Sequence, residues 1–254
     1  MKRIEKWLED SGLADDRLIM TAAAAALQAG SIIRGMYDNP HRIMMKGAID
    51  LVTEADLAAE KEILAILGKE YPGTAVLAEE SSSDYEEIPP GPVWIIDPLD
   101  GTTNFAHGFP YFCVSIAYSV ERNSELGVIY CPLLDELFWT RRGGGAWLNG
   151  RRLEVTRTSR LIESLVATGF PYDIHGNLER IIAQLNRVLP AVRDVRRGGA
   201  AALDLAFVAC GRLDAFWEVG LKPWDTAAGQ LLVEEAGGGL PISRGAPGPL
   251  MFPK

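Results

Sequence analysis

Residues 97–104 read Asp-Pro-Leu-Asp-Gly-Thr-Thr-Asn, so two carboxylates, two hydroxyls and a glycine share one short stretch. Carboxylate oxygens are the ligands that a hard cation such as Mg²⁺ prefers. N–H groups in a glycine-containing turn can donate to phosphate oxygens. An isolated Asp-Gly is ordinarily a hairpin turn, and Asp-Pro ordinarily begins one. Here the acids follow an apolar Val-Trp-Ile-Ile run and precede Thr-Thr-Asn-Phe, neither of which a plain turn requires. Other acids that could join them are Asp56, in Leu-Val-Thr-Glu-Ala-Asp, Glu79, in an acidic pair, and Asp225, in Lys-Pro-Trp-Asp. Each has an ordinary reading beside the chemical one. Thr53 and Asp56 can cap a helix, Glu79 can be solvated, and Asp225 can cap the helix it precedes.

The elements that must position these residues follow from local pattern. The run at 93–96 has the length and β-branched content of a buried strand. Pro98, lacking an N–H, is expected to end it. Gly101 permits a tight turn or a close approach of backbone to a ligand. Upstream, Ile4, Trp7 and Leu8 mark a short first helix. A second runs from a cap at Asp15 or Asp16 to about Met36, with Ile19, Ala22, Ala26, Ala29 and Ile33 inward. A strand pair is read at 42–46 and 50–52. A helix follows from Thr53, stopped by Tyr71-Pro72-Gly73, and then a short strand at 74–78. The polar, Pro-rich 81–92 reads as a mobile loop. Strands at 112–120, 125–130 and 136–140 follow, with turns at Asn123-Ser124 and Leu134-Asp135, and Asn149-Gly150 is a hairpin signal. The part to residue 155 is therefore helices over a largely antiparallel sheet. From 156 to 254 the order changes to strands at 164–168, 192–195 and 214–217 alternating with helices at 177–188, 200–209 and 226–236, an α/β unit packed onto the first.

Composition narrows the class. With 254 residues, 48% hydrophobic, the chain can bury a sizeable core. A formal net charge of -9 argues against a nucleic-acid binder or an anionic-membrane binder. Cys113, Cys131 and Cys210 are widely spaced, so neither a zinc site nor a disulfide framework is indicated, and a cytoplasmic setting is the default. The Ala-rich run 20–33 is read as too short to span a membrane. Gly143-Gly144-Gly145 is not a dinucleotide fingerprint.

Asp97-Pro98-Leu99-Asp100-Gly101-Thr102-Thr103-Asn104-Phe105 resembles the signature of the inositol monophosphatase family of Mg²⁺-dependent phosphatases. Leu51-Val52-Thr53-Glu54-Ala55-Asp56 and Lys222-Pro223-Trp224-Asp225-Thr226-Ala227-Ala228-Gly229 agree with it, in the family's order. The resemblance covers nearly the whole chain. It implies a layered αβαβα sandwich, an α/β fold, and hydrolysis of a phosphate monoester with two or three Mg²⁺ ions. It assigns Glu79, Asp97 and the Leu99 carbonyl to one ion, and Asp97, Asp100 and Asp225 to another. It makes Thr102, held by Asp56, and Glu79 the groups that orient the attacking water. It gives Gly101 and Thr102 N–H groups to the phosphate, and Asp100, Ala201 and Glu218 to the alcohol's hydroxyls. Lys46 matches a family lysine near the site. His107 follows the motif with no chemical role required of it, and His41 and His175 match nothing.

The resemblance further implies Li⁺ sensitivity and a homodimer. The family normally continues with a strand and helix after Leu240, where this chain is Gly- and Pro-rich; a missing edge strand is expected to leave the metal site intact. Ala200 stands where some members carry Thr or Ser. The expected substrate is a small polyol phosphate, myo-inositol 1-phosphate first, with fructose 1,6-bisphosphate the nearest alternative. A different class is an interaction protein in RNA processing or transcription. Arg141, Arg142, Arg151, Arg152, Arg157, Arg160, Arg193, Arg196 and Arg197 make the middle of the chain locally basic, although such runs are usually solvated or salt-bridged.

Overall fold

The computed structural model describes residues 2–11, 16–37, 43–45, 51–82, 88–171 and 174–239. His41, Lys46, the acidic segment 83–87 and everything from residue 240 lie outside them, so the readings placed there are not addressed. The elements in order are α1 (Lys2–Ser11), α2 (Arg17–Tyr37), β1 (Ile43–Met45), β2 (Leu51–Thr53), α3 (Glu54–Glu70), β3 (Ala75–Ala78), β4 (Val93–Asp100), α4 (Thr102–Ala106) and β5 (Cys113–Val120). Then come β6 (Asn123–Cys131), β7 (Glu136–Arg141), β8 (Gly145–Leu148), β9 (Arg151–Arg152), β10 (Leu165–Thr168), α5 (Ile174–Val188), β11 (Asp194–Arg196), α6 (Ala201–Ala209), β12 (Ala215–Trp217) and α7 (Pro223–Glu235).

Period-2 alternation along the strands sorts the core into layers. Trp94, Ile96, Val114, Ile116, Val128 and Trp139 face α1, α2 and α3. Val93, Ile95, Cys113, Ala117, Ile129 and Phe138 face α6 and α7 on the other side. Beyond these helices, Ala167 and Phe216 belong to that same core, while Val166, Ala215 and Trp217 face Leu185 and Val188 of α5. The result is helices, a seven-stranded sheet, helices, a three-stranded sheet and a helix. The large sheet has order β3-β4-β5-β6-β7-β8-β9 and is antiparallel except for β3 beside β4; the small one, β11-β10-β12, is parallel. One hydrophobic cluster joins residues from both halves of the chain.

Several local expectations change. The strand does not end at Pro98: β4 runs to Asp100, with a register shift between Asp97 and Asp100, after which Asp100 pairs with Cys113. A bulge absorbs the missing N–H and re-aims the side chains around it. The β5–β6 turn falls at Glu121 and Arg122, both at positive φ, rather than at Asn123-Ser124. Asn149-Gly150 turns as expected, with φ of 50 and 84°. Asp16 caps α2, its Oδ1 accepting from the N–H groups of Leu18 and Ile19. That helix is 21 residues, long and apolar enough to cross a membrane by length and composition. The length argument against spanning therefore fails. What places α2 here is burial of Ile19, Ala22, Ala26, Ala29 and Ile33 against α3 and the sheet.

Candidate active site

The site forms where β3 and β4 end together. The β3–β4 ladder continues one step past β3, with the Glu79 N–H donating to the Ile96 carbonyl at 3.1 Å, so Glu79 lies beside the start of the Asp97 bulge. Asp97 then folds back on its own turn: its Oδ1 accepts from the Leu99 N–H at 3.0 Å. Ser115 is the register partner of Asp97, and its hydroxyl lies 3.4 Å from the Trp224 carbonyl in the first turn of α7. That contact brings Asp225 over the strand end. Asp225 does not precede the helix as expected; Pro223 opens α7, and Asp225 is its third residue. Its Oδ2 accepts from the Lys222 N–H at 2.6 Å, so it caps backwards. Close passage of α7 requires glycine beneath it: a Cβ on Gly127 would lie 2.8 Å from the Ala228 carbonyl oxygen.

Gly101 turns the chain from β4 into α4 with φ of +99°, in the left-handed region, and a Cβ there would meet the Tyr111 carbonyl at 2.9 Å. Thr102 follows, buried, with its hydroxyl donating to Asp56 Oδ1 at 2.8 Å and 3.1 Å from the Leu99 carbonyl. Asp56 Oδ2 accepts from the N–H of Thr53 at 2.8 Å and its hydroxyl at 2.5 Å. Asp56 therefore performs the capping predicted for it and holds Thr102 with its other oxygen. Burial raises its carboxyl, opposed by the hydrogen bonds from Thr53 and Thr102.

Asp100 points the other way, toward α6. Its Oδ2 accepts from the Ala202 N–H at 2.6 Å and lies 3.8 Å from Cys113 Sγ. Ala201 opens α6 one residue earlier. Glu218 follows β12, and its carboxylate occupies the space that a side chain at Gly169 would fill. Glu79, Asp97, Asp100, Asp225 and Glu218 thus lie within electrostatic range of one another, while Asp56, on α3, reaches them through Thr102. His107 sits apart at the exposed end of α4, and His175 is exposed on α5.

Electrostatics distinguish this cluster from an ordinary ion-pair network. Burial, then the charges of Glu79, Asp100 and Asp225, push Asp97 well above the usual carboxylate range, and a hydrogen bond to Glu79 helps keep its proton. Burial lifts Asp100 to about 8, and Asp225 is raised by burial and then by Asp100. Glu218 rises to about 7 through burial and then Asp225. Among the described residues no three His, Cys, Asp or Glu side chains are already drawn tightly enough to enclose an ion. The carboxylates are within electrostatic range of one another and mutually repelled, and repulsion of this kind is relieved either by protons or by a cation. An all-oxygen donor set of several carboxylates and a turn carbonyl suits Mg²⁺.

Sequence reasoning missed three supports. Glu60, buried four residues after Asp56 on the same face of α3, accepts the Glu80 N–H at 3.0 Å and so fixes the turn that presents Glu79. The spacing from Asp56 was its signal. Asn104 donates to the carbonyls of Tyr111, at 2.6 Å, and Gly198, at 3.0 Å, tying the motif to the loop before α6. Ser115 had no signal beyond its place on a strand.

The family profile described as "Inositol monophosphatase family" matches residues 14–251, and the chain belongs to that family of phosphoric monoester hydrolases. Magnesium dependence and lithium sensitivity are typical of it. A tomato (Solanum lycopersicum) protein named Inositol monophosphatase 2 is 45% identical over 233 residues, covering 88% of this chain and 86% of its own. Nus factor SuhB of Escherichia coli is 44% identical over 223 residues, covering 87% and 83%. The crystal structure of extragenic suppressor protein suhB from Bartonella henselae superposes with a TM-score of 0.84 at 39% identity, covering 93% and 94%.

Proposed function

We propose that the chain hydrolyses the phosphate monoester of a small polyol, myo-inositol 1-phosphate first, to the free alcohol and phosphate. The observation that carries this reading is the set of mutually repelled carboxylates, buried Asp97 and Asp100 with half-buried Asp225 and Glu79, beside a hydroxyl held by a dedicated acid. Glu79, Asp97 and the Leu99 carbonyl would hold one Mg²⁺, and Asp97, Asp100 and Asp225 a second, within the two or three ions that the family resemblance implies. When bound, the ions supply positive charge to the phosphoryl and leaving oxygens and acidify a nearby water.

The protein's part is orientation. The Thr102 hydroxyl donates its hydrogen bond to Asp56, which leaves the hydroxyl's lone pairs to accept from the attacking water. Glu79 takes the second hydrogen of that water. The Gly101 and Thr102 N–H groups would donate to the phosphate, preorganised by the left-handed turn. On the alcohol side, Asp100 and Glu218 accept from hydroxyls, and the Ala201 N–H at the start of α6 donates to one.

Steady-state kinetics on myo-inositol 1-phosphate and fructose 1,6-bisphosphate test the substrate. A larger kcat/KM for the bisphosphate would overturn the first choice, and no turnover of either would overturn the reading. A homodimer and a cytoplasmic setting belong to the same proposal; sedimentation and fractionation check them. The interaction-protein reading is weaker. Of the basic stretch, Arg141, Arg142, Arg157, Arg160 and Arg196 are engaged with Asp16, Glu125, Glu234, Glu154, Glu163 and Asp194.

A further inference from the structure

Tyr111 leaves the motif loop and reaches across to α6. Its hydroxyl donates to Asp204 Oδ1 at 2.5 Å, and its ring stands edge-on to Phe207 with 5.8 Å between centroids. Asp204 and Phe207 are three residues apart, so one side chain grips one face of the helix across a turn. The backbone of Tyr111 is held in turn, its carbonyl accepting from Asn104 Nδ2. The loop before α6 closes tightly on the pair: a Cβ at Gly198 would stand 2.8 Å from Asp204 Oδ1. At the head of the same helix the Ala202 N–H meets Asp100.

Asp204 is 1% exposed. Burial, with the charge of Glu218 added, raises its carboxyl to about 8. A buried acid is an expensive way to fill space, and an apolar residue would pack there without that penalty. What the acid adds is direction. A hydrogen bond fixes the rotation and height of a helix, which apolar contact alone leaves softer.

We propose that Tyr111 and Asp204 are positioning residues for the alcohol half of the substrate. Through α6 they set the backbone at 200–202 against Asp100 and Glu218, and so determine which hydroxyl-bearing alcohols the site accepts. The proposal rests on the phosphomonoesterase reading and separates the alcohol side of the site from its phosphoryl side.

Tyr111→Phe keeps the ring and removes the hydroxyl. KM for myo-inositol 1-phosphate rises about tenfold while kcat stays within about twofold. For p-nitrophenyl phosphate, whose leaving group has no hydroxyl to read, kcat/KM stays within about twofold. Asp204→Asn, which retains an oxygen to accept from Tyr111, keeps KM near the wild-type value, and Asp204→Leu raises it as Tyr111→Phe does. In deuterium exchange on the full chain, Tyr111→Phe speeds the amides at 201–205 and leaves those of α7 unchanged. Equal losses on both esters, or unchanged KM and unchanged exchange, overturn the proposal. A wild-type chain that hydrolyses neither ester refutes the phosphatase reading and the substrate part of this one; exchange then decides whether the pair positions α6.

Discussion

Asp56 and Asp97 are both buried acids, 0% and 2% exposed, and they are held in opposite ways. Asp56 is surrounded by donors of the protein: the Thr53 N–H, the Thr53 hydroxyl and the Thr102 hydroxyl. Asp97 accepts the Leu99 N–H and otherwise faces Glu79, Asp100 and Asp225, all of its own sign. The difference separates an acid whose charge the fold itself satisfies from one whose charge it leaves opposed. The first is satisfied internally and can be structural and functional at once. The second is left electrically unfinished, and either a proton or a cation can complete it.

The largest effect expected from breaking this contrast is on Asp97. Asp97→Asn replaces an acid that this buried site disfavours in its charged form, so the chain folds, and turnover falls by about 10³ or more. Circular dichroism and kcat measure the two together. Turnover retained within tenfold would remove Asp97 from the chemistry. Asp56→Ala behaves differently, because it strips a cap and the support of Thr102 in one step. Stability falls by about 1–3 kcal/mol in urea with or without Mg²⁺, and activity falls with it. A loss of stability confined to the Mg²⁺-loaded protein would place Asp56 with Asp97 instead.

Comparable in size is the effect expected of Mg²⁺ on the wild-type chain. An ion held by carboxylates that only the fold brings together would bind the folded state alone, and at about 100 times Kd it would stabilise by about 2.7 kcal/mol. The sign of the pH dependence follows from Asp100, at about 8 when folded against 3.8 as its ordinary value. The folded chain binds that proton more tightly than the unfolded one. Its contribution to stability is full below about pH 4, shrinks as the pH rises, and is lost above about pH 8. Asp204 and Glu218 act in the same sense. The chelated protein therefore melts lower at pH about 8.5 than at about 6, and the increase in Tm on adding Mg²⁺ is larger at the higher pH. Scanning fluorimetry reads both; an Mg²⁺ effect independent of pH would count against cation and proton replacing one another. The smallest effect is at Gly101, where Gly101→Ala costs about 1–2 kcal/mol through left-handed strain and the close Tyr111 carbonyl. A neutral result would mean that this turn is looser than its φ of +99° implies.

Much of the site was legible because its residues lie in short motifs with local logic. Thr53 and Asp56 are a cap by spacing alone, and Gly101 must be glycine for a turn of this kind. Other features were legible only in part. Pro98 correctly marked a break in the β4 ladder, yet the strand resumes, because β5 offers a partner to Asp100 after the bulge. The β5–β6 turn was displaced by two residues because Glu121 and Arg122 carry no turn signal; the register of the two strands forces them to positive φ. Asp225 was read as standing before its helix, and Pro223 at the first position is what moves it inside.

The sequence alone settled the inventory: which acids exist, which glycine can turn sharply, and which runs are strands or helices. These depend on neighbours a few positions away. Only the tertiary structure decided which acids repel one another and which are satisfied, because Asp56 reaches Thr102 across 46 positions and Asp100 reaches Ala202 across 102. Charge acts through space, and distance in space is set by how the layers pack rather than by the order of the residues.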